Sequence, residues 1–431
     1  MTACFWPLIA LAALLQAPAK PAPAVTEFAL PTGVRAALRH EPGAGAAAIC
    51  AMVAGGAEAD PEGSRLADLT TRCLFGDNQN LSKAAVWRAV YAAGGDLSCT
   101  WSEQGVAISC VTTPDRFEDA LYVIAQALKN AEMDVESVAA AKRAIGVSLR
   151  AEAANPDAVA GAAARQALFP NSPYGKPRIQ ADAALRRLTR ADVLRCYQTW
   201  FRPERCSIAV VGDVTAARAR RALENYFVDF ERQPVPRQPV AEAKPSSGPA
   251  RQAIAMRSGT SLVMTLLPAP APASDDFAAA LTLAALLGGG KGSRMFRELR
   301  EAEGIGYALG AECRWQAAGN HIVASVETPP SETARAEEIL DGVVAGLVAR
   351  PPGEAELERA RRFASGAYRL AHERVRDRAY HLALWAGTTL GASADDALAA
   401  RIAKVTAEDV VRVARAAQGH RARVVVSPPQ P

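Results

Sequence analysis

Apolar runs of two kinds organise the chain: short blocks of strand length, and longer stretches with helical periodicity. Residues 26–39 read as two short strands about a turn at Pro31, Thr32 and Gly33, and 46–55 as an apolar strand. Asp60, Pro61 and Gly63 break the chain ahead of a helix over about 64–75, and a second helix covers 82–93. Gly94 and Gly95 then open a hairpin over 96–112. Pro114 starts an amphipathic helix to Leu128, and a long one follows over about 135–153. An irregular stretch over 169–177 precedes a helix over 189–200, a strand over 207–211 and a helix over 216–226.

Residues 233–250 are rich in proline and small polar residues and lack periodicity, which marks a linker. Beyond it the order starts again. A strand over 261–267 precedes a helix over 275–287 that is apolar all round and therefore buried. Thr328 with Pro329 and Pro330 leads into one helix, and Pro351 to Gly353 into a longer one, as Thr113 and Pro114 do in the first half. The closing units match most closely: Thr189 and Thr406 each precede a helix and a β-run, with Asp192 and Asp409 at the third helical position, a capping-box arrangement. The spacing predicts a tandem duplication. Strands and helices in blocks predict an α+β fold of two homologous domains, each a mainly antiparallel sheet with helices packed on one face. The expected boundaries are a leader over 1–24, a first domain over 25–232, the linker over 233–250 and a second domain over 251–431.

Composition narrows the partners. With 431 residues, 50% hydrophobic and 22% charged, the chain is globular, and a net charge of +4 without basic clusters excludes the usual nucleic-acid footprint. Residues 4–15 are almost wholly apolar, too short to span a bilayer, and lead into small residues and prolines. This predicts export to the periplasm, with cleavage after Ala19 or Ala24, or else retention of the segment as an anchor. Seven further cysteines follow Cys4: Cys50, Cys73, Cys99, Cys110, Cys196, Cys206 and Cys313. The pairs Cys99–Cys110 and Cys196–Cys206 are open as disulfides in an oxidising compartment, and buried small hydrophobes are the other reading.

The stretch 288–310, GGGKGSRMFRELREAEGIGYALG, holds the most suggestive chemistry. It reads as a glycine turn, a short helix ending near Arg300, a reversal at Gly304 and a strand bearing Tyr307. A guanidinium fork and a phenol side by side suit a peptide carbonyl or carboxylate, although alone the stretch is an ordinary helix-to-strand corner. It is not a phosphate loop, since Lys291 precedes a glycine and the run follows a helix. No G-x-S-x-G nucleophile elbow occurs. Five histidines offer no i,i+4 pair. His372 and His381 are expected on one solvated helix, about 13 Å apart along its axis and too far apart to share an ion.

Four strings carry a resemblance to a known family. LPTGVRAALRHE (30–41), GAEADPEGSRLADLTTRCLFGD (56–77), SIAVVGDV (207–214) and GGGKGSRMFRELREAEGIGYALGAE (288–312) resemble segments of the insulinase-like metallopeptidases, the family of pitrilysin and the mitochondrial processing peptidase. The resemblance implies an H-x-x-E-H zinc helix in the first half, with a further Glu about 76 residues later. Aligned through Leu74 and Phe75, these roles fall on Asp68, Thr71, Arg72 and Ser148, a degenerate set for which no bound metal is expected. In the second half, Arg300 and Tyr307 match the family's pair that holds the scissile carbonyl, and Gly288, Gly289 and Gly290 would let a peptide approach.

The resemblance therefore implies a non-catalytic, substrate-positioning subunit. It would supply Arg300 and Tyr307 in trans to a homologous zinc-bearing partner, bind peptide, and carry no cofactor of its own, the zinc lying in the partner. The alternatives are an inactive scaffold of the same fold, like the core proteins of respiratory complexes, and a self-sufficient peptidase with an atypical centre.

Overall fold

The computed structural model describes residues 23–230, 243–316 and 318–429. The leader expected over 1–24 lies almost wholly outside the described residues, as does 233–242 of the linker. The first half contains β1 (Thr26–Ala29), β2 (Arg35–His40), β3 (Ala47–Ala54), α1 (Leu66–Cys73), α2 (Lys83–Ala92), β4 (Asp96–Trp101), β5 (Gly105–Thr112), α3 (Phe117–Asn130) and α4 (Val135–Ala153). It continues through α5 (Pro156–Leu168), α6 (Asp182–Arg187), α7 (Arg190–Trp200), β6 (Cys206–Gly212) and α8 (Ala216–Tyr226). The second half adds β7 (Ala250–Ala255), β8 (Ser261–Pro268), α9 (Phe277–Gly288), β9 (Leu309–Arg314), β10 (His321–Thr328), α10 (Thr333–Ala349) and α11 (Glu354–Leu370). It closes with α12 (Val375–Ala386), α13 (Ser393–Ala403), α14 (Ala407–Gln418) and β11 (Ala422–Ser427).

The sheets run β1-β2-β6-β3-β5-β4 and β7-β11-β8-β10-β9. Apart from the extra edge strand β1, the orders correspond strand for strand. In each, one parallel pair (β2 with β6, β7 with β11) interrupts an otherwise antiparallel sheet. The α+β duplication expected from the repeat is present. Both closing helices carry the full capping box, Thr189 with Asp192 and Thr406 with Asp409.

Side-chain alternation along β3 shows why its sequence is apolar throughout. Ala47, Ile49, Ala51 and Val53 face the core under the first half's own helices. Ala48, Cys50 and Met52 face the other way, against Leu382, Ala383 and Ala386 of α12 from the second half. The exchange is reciprocal, because Leu262, Met264 and Leu266 of β8 meet Ala160, Ala164 and Leu168 of α5 from the first half. Each sheet thus has its own helices on one face and a helix lent by the opposite half on the other. Ser207 Oγ donates to the Ala383 carbonyl at 2.7 Å, Arg378 grips Glu41 at 3.0 and 2.7 Å, and Arg39 reaches both oxygens of Asp396 at 2.7 Å.

One expectation is corrected here, and one open alternative is decided. His372 and His381 do not share a helix: α11 stops at Leu370, and the chain turns through 371–374 before α12 begins. The turn folds the two rings together, with centroids 4.1 Å apart and stacked. The seven cysteines are free, and five of them are buried as small hydrophobes. Burial pushes the Cys50 thiol up to about 12, which suits a packed group.

Candidate functional site

Three of the degenerate metal positions, Asp68, Thr71 and Arg72, lie along α1, and the fourth, Ser148, lies on α4. Asp60 accepts from the Ser64 and Arg65 backbone N–H groups at 2.8 Å each, so the loop closes tightly before the helix. Arg65 enters α1 with φ of 70°, a left-handed conformation uncommon for a residue with Cβ. That conformation swings its guanidinium across the helix end. It bonds Glu152 of α4, approaches Asp68 at 3.5 Å and donates through Nε to the Arg178 carbonyl at 3.1 Å. Asp68, 7% exposed, also accepts from Arg72 Nε at 2.8 Å.

None of this fits zinc. Thr71 is buried and spends its hydroxyl on the Ala67 carbonyl at 2.8 Å, and Ser148 spends its own on Ala144 at 3.2 Å. The two carboxylates within reach, Asp68 and Glu152, are neutralised by Arg65 and Arg72, whose charges oppose a cation. A guanidinium holds α1 to α4 at the place where the family resemblance puts a metal. The sequence reading found Asp68 and Arg72 but missed Arg65 and Glu152. The usable signal was Glu152 lying one helical turn beyond Ser148, on the same face. Asp68→Ala is expected to destabilise the chain by only about 1 kcal/mol, because Arg65 keeps Glu152 and the Arg178 carbonyl and Arg72 reaches water. Urea unfolding of the two proteins measures this.

A cavity of about 660 Å³ opens between this cluster and the second half, bordered by Arg65 and Glu152 on one side and by Gly288, Leu309 and His321 on the other. Burial and the cationic Arg165 and Arg314 hold His321 down at about 4, against an opposing hydrogen bond to the Gly319 carbonyl at 2.9 Å. The folded chain keeps this ring neutral while the unfolded chain takes up a proton below about pH 6.5, so stability falls as pH drops from there to about 4. His321→Gln is expected to remove about 3 kcal/mol of that loss, read from denaturation midpoints at the two pH values.

Across the cavity, the glycine turn is shaped by packing. A Cβ on Gly288 would sit 2.0 Å from the Ala311 nitrogen, so α9 can end against β9 only with glycine there. Gly289 and Gly290 lie against Phe363 in the same way. The following segment is a π-helix (Phe296–Ala302) containing Arg300, a form that recurs at functional sites. Gly304 turns the chain at φ of 70°, and Arg300 Nη1 donates to the Gly306 carbonyl at 3.0 Å. Tyr307 sits just ahead of β9 and not within it. Its N–H bonds the Glu327 carbonyl at 2.8 Å, which extends the ladder, and its side chain is 67% exposed. The two residues therefore share one corner. Among the described residues, no hydrogen bond or ion pair joins that corner to Asp68, Thr71, Arg72 or Ser148.

Residues 187–363 match the family model described as the peptidase M16 inactive domain. Over that segment the chain is similar to the insulinase-like (M16) peptidases. The H-x-x-E-H motif is absent from its sequence. An uncharacterized zinc protease of Mycobacterium leprae is 22% identical over 352 residues, spanning 80% of this chain and 77% of that protein. The non-peptidase homolog YmxG of Helicobacter pylori is 18% identical over 327 residues, 75% of each chain. The fold also aligns with the solved structure of a protease from Helicobacter pylori at a TM-score of 0.86 and 16% identity, covering 94% of this chain and 100% of that one. A peptidase M16 inactive domain from Pseudomonas fluorescens aligns at 0.84 and 18% identity, covering 94% and 98%. Among the described residues, no helix is long and apolar enough to cross a membrane.

Proposed function

We propose that this chain is the substrate-positioning subunit of a two-chain zinc peptidase, working outside the cytoplasm after removal of its leader. A homologous partner with an intact H-x-x-E-H helix would hold the zinc. Arg300 and Tyr307 would donate to the oxygen of the scissile carbonyl as it turns tetrahedral, and peptide would lie along the corner after Gly288, Gly289 and Gly290.

The observation that carries this reading is the contrast between the two half-sites. The metal positions are filled by ion pairs, whereas Tyr307 stands 67% exposed, so packing does not account for it. A scaffold reading has one observation in its favour: Arg300 is bound to its own Gly306 carbonyl and so braces the corner. Mixing the purified chain with an H-x-x-E-H partner distinguishes the two, since only a positioning subunit creates peptidase activity that depends on Arg300 and Tyr307. Alone, the chain is expected to cleave no peptide and to hold no zinc on α1.

A further inference from the structure

We propose that His372, His381 and Asp395 form a divalent transition-metal site, best matched to zinc, where α11, α12 and α13 meet. One donor atom from each residue lies within 4.8 Å of the others. Donors 2.0–2.1 Å from a tetrahedral ion stand about 3.4 Å apart, a contraction that side-chain torsions can supply.

Two orphaned atoms point to a ligand. The Asp395 side chain is 1% exposed, yet its Oδ2 has no hydrogen-bond partner, and neither has the buried Nδ1 of His381. Buried polar atoms are ordinarily satisfied, and two orphans in one cluster mark unused coordinating capacity. His372 is already oriented as a metal ligand would be. Its Nδ1 lies 2.7 Å from the Tyr368 carbonyl, and its Nε2 lies 2.9 Å from Asp395 Oδ1. An imidazole that donates one N–H to a carbonyl and turns its other nitrogen to the ion is the usual outer-shell arrangement.

The Tyr368 hydroxyl bonds Asp395 and accepts from Trp385 Nε1 at 3.1 Å, which fixes the carboxylate from behind. The nearby cation Arg39 is paired with Asp396 at 2.7 Å. Two imidazoles and one carboxylate suit zinc, with a fourth position open to water, whereas calcium or magnesium would need more oxygen donors. The ion would replace the proton between His372 Nε2 and Asp395, and that proton would leave to solvent. The His372 side chain, 14% exposed, provides the way in. A bound ion would clamp the bend between α11 and α12, the helix seated on the first half's sheet.

The test uses the full chain stripped by chelator and titrated with zinc alone. One equivalent is expected to bind, His372→Ala and His381→Ala each weakening it at least tenfold and Asp68→Asn leaving it unchanged. Failure to take up zinc, or uptake unaltered in both folded histidine variants, overturns the proposal. Zinc lost only with Asp68→Asn overturns it too, and separately contradicts the reading of α1. Should the variants not fold, cobalt on the unaltered chain decides. Strong tetrahedral visible absorption with two shifted imidazole resonances supports the site, and a weakly absorbing ion with unshifted imidazoles excludes it.

Discussion

Arg300→Ala is expected to lower the peptidase activity of the assembled two-chain enzyme by about 10²-fold, the usual cost of removing one donor to a developing oxyanion. Tyr307→Phe removes only a hydroxyl and should cost at least about tenfold in kcat/KM. The controls follow from exposure. Tyr307 is 67% exposed, so its loss should leave stability within about 0.5 kcal/mol and the complex intact. Arg300 gives up a single hydrogen bond to the Gly306 carbonyl, a cost of about 1 kcal/mol. A fall in activity with binding and folding preserved is what a positioning role requires. Full activity of both variants in the mixed complex would reject that role and leave the scaffold reading.

The second large effect concerns Trp385, which is fully buried on α12. While Leu382, Ala383 and Ala386 face the first half's sheet, Trp385 turns into the second half's core. It packs at a tilt against Trp315 with centroids 5.0 Å apart, meets Phe277 edge-on at 6.5 Å and donates to Tyr368. Trp385→Ala should cost about 3–5 kcal/mol, the range for deleting a buried aromatic side chain. Guanidinium denaturation of the full chain measures it. A loss below about 1 kcal/mol would mean that the core collapses into the space.

Features set by neighbours in sequence were legible before the structure. The paired capping boxes at Thr189 and Thr406 and the reversal at Gly304 are local, and they stand where the spacing puts them. The family's missing ligands were equally plain, because absence of histidine at Asp68 and Arg72 is a matter of identity. Features that depend on distant partners were not legible. Arg65 reads as a surface residue until Glu152, 87 positions away, is folded against it. Helix α5 escaped notice because alanines and glycine give it no apolar stripe, and its small residues serve close approach to β8. The bend over 371–374 carries no proline or glycine, so periodicity ran through it and kept apart two histidines that the fold stacks.

The exchange of α5 and α12 has a consequence for how the duplicated chain arose and how it comes apart. Two copies of a single ancestral half could have satisfied each other as a helix-swapped dimer, and fusion through the linker would then make one chain of an existing pair. In the fused molecule, neither half retains cover for both faces of its own sheet. Cut at the linker and separated, each piece would bare the apolar row that the other had lent a helix to hide. The repeat in the sequence therefore counts two units of ancestry, while the shared apolar faces in the structure leave each unit dependent on the other.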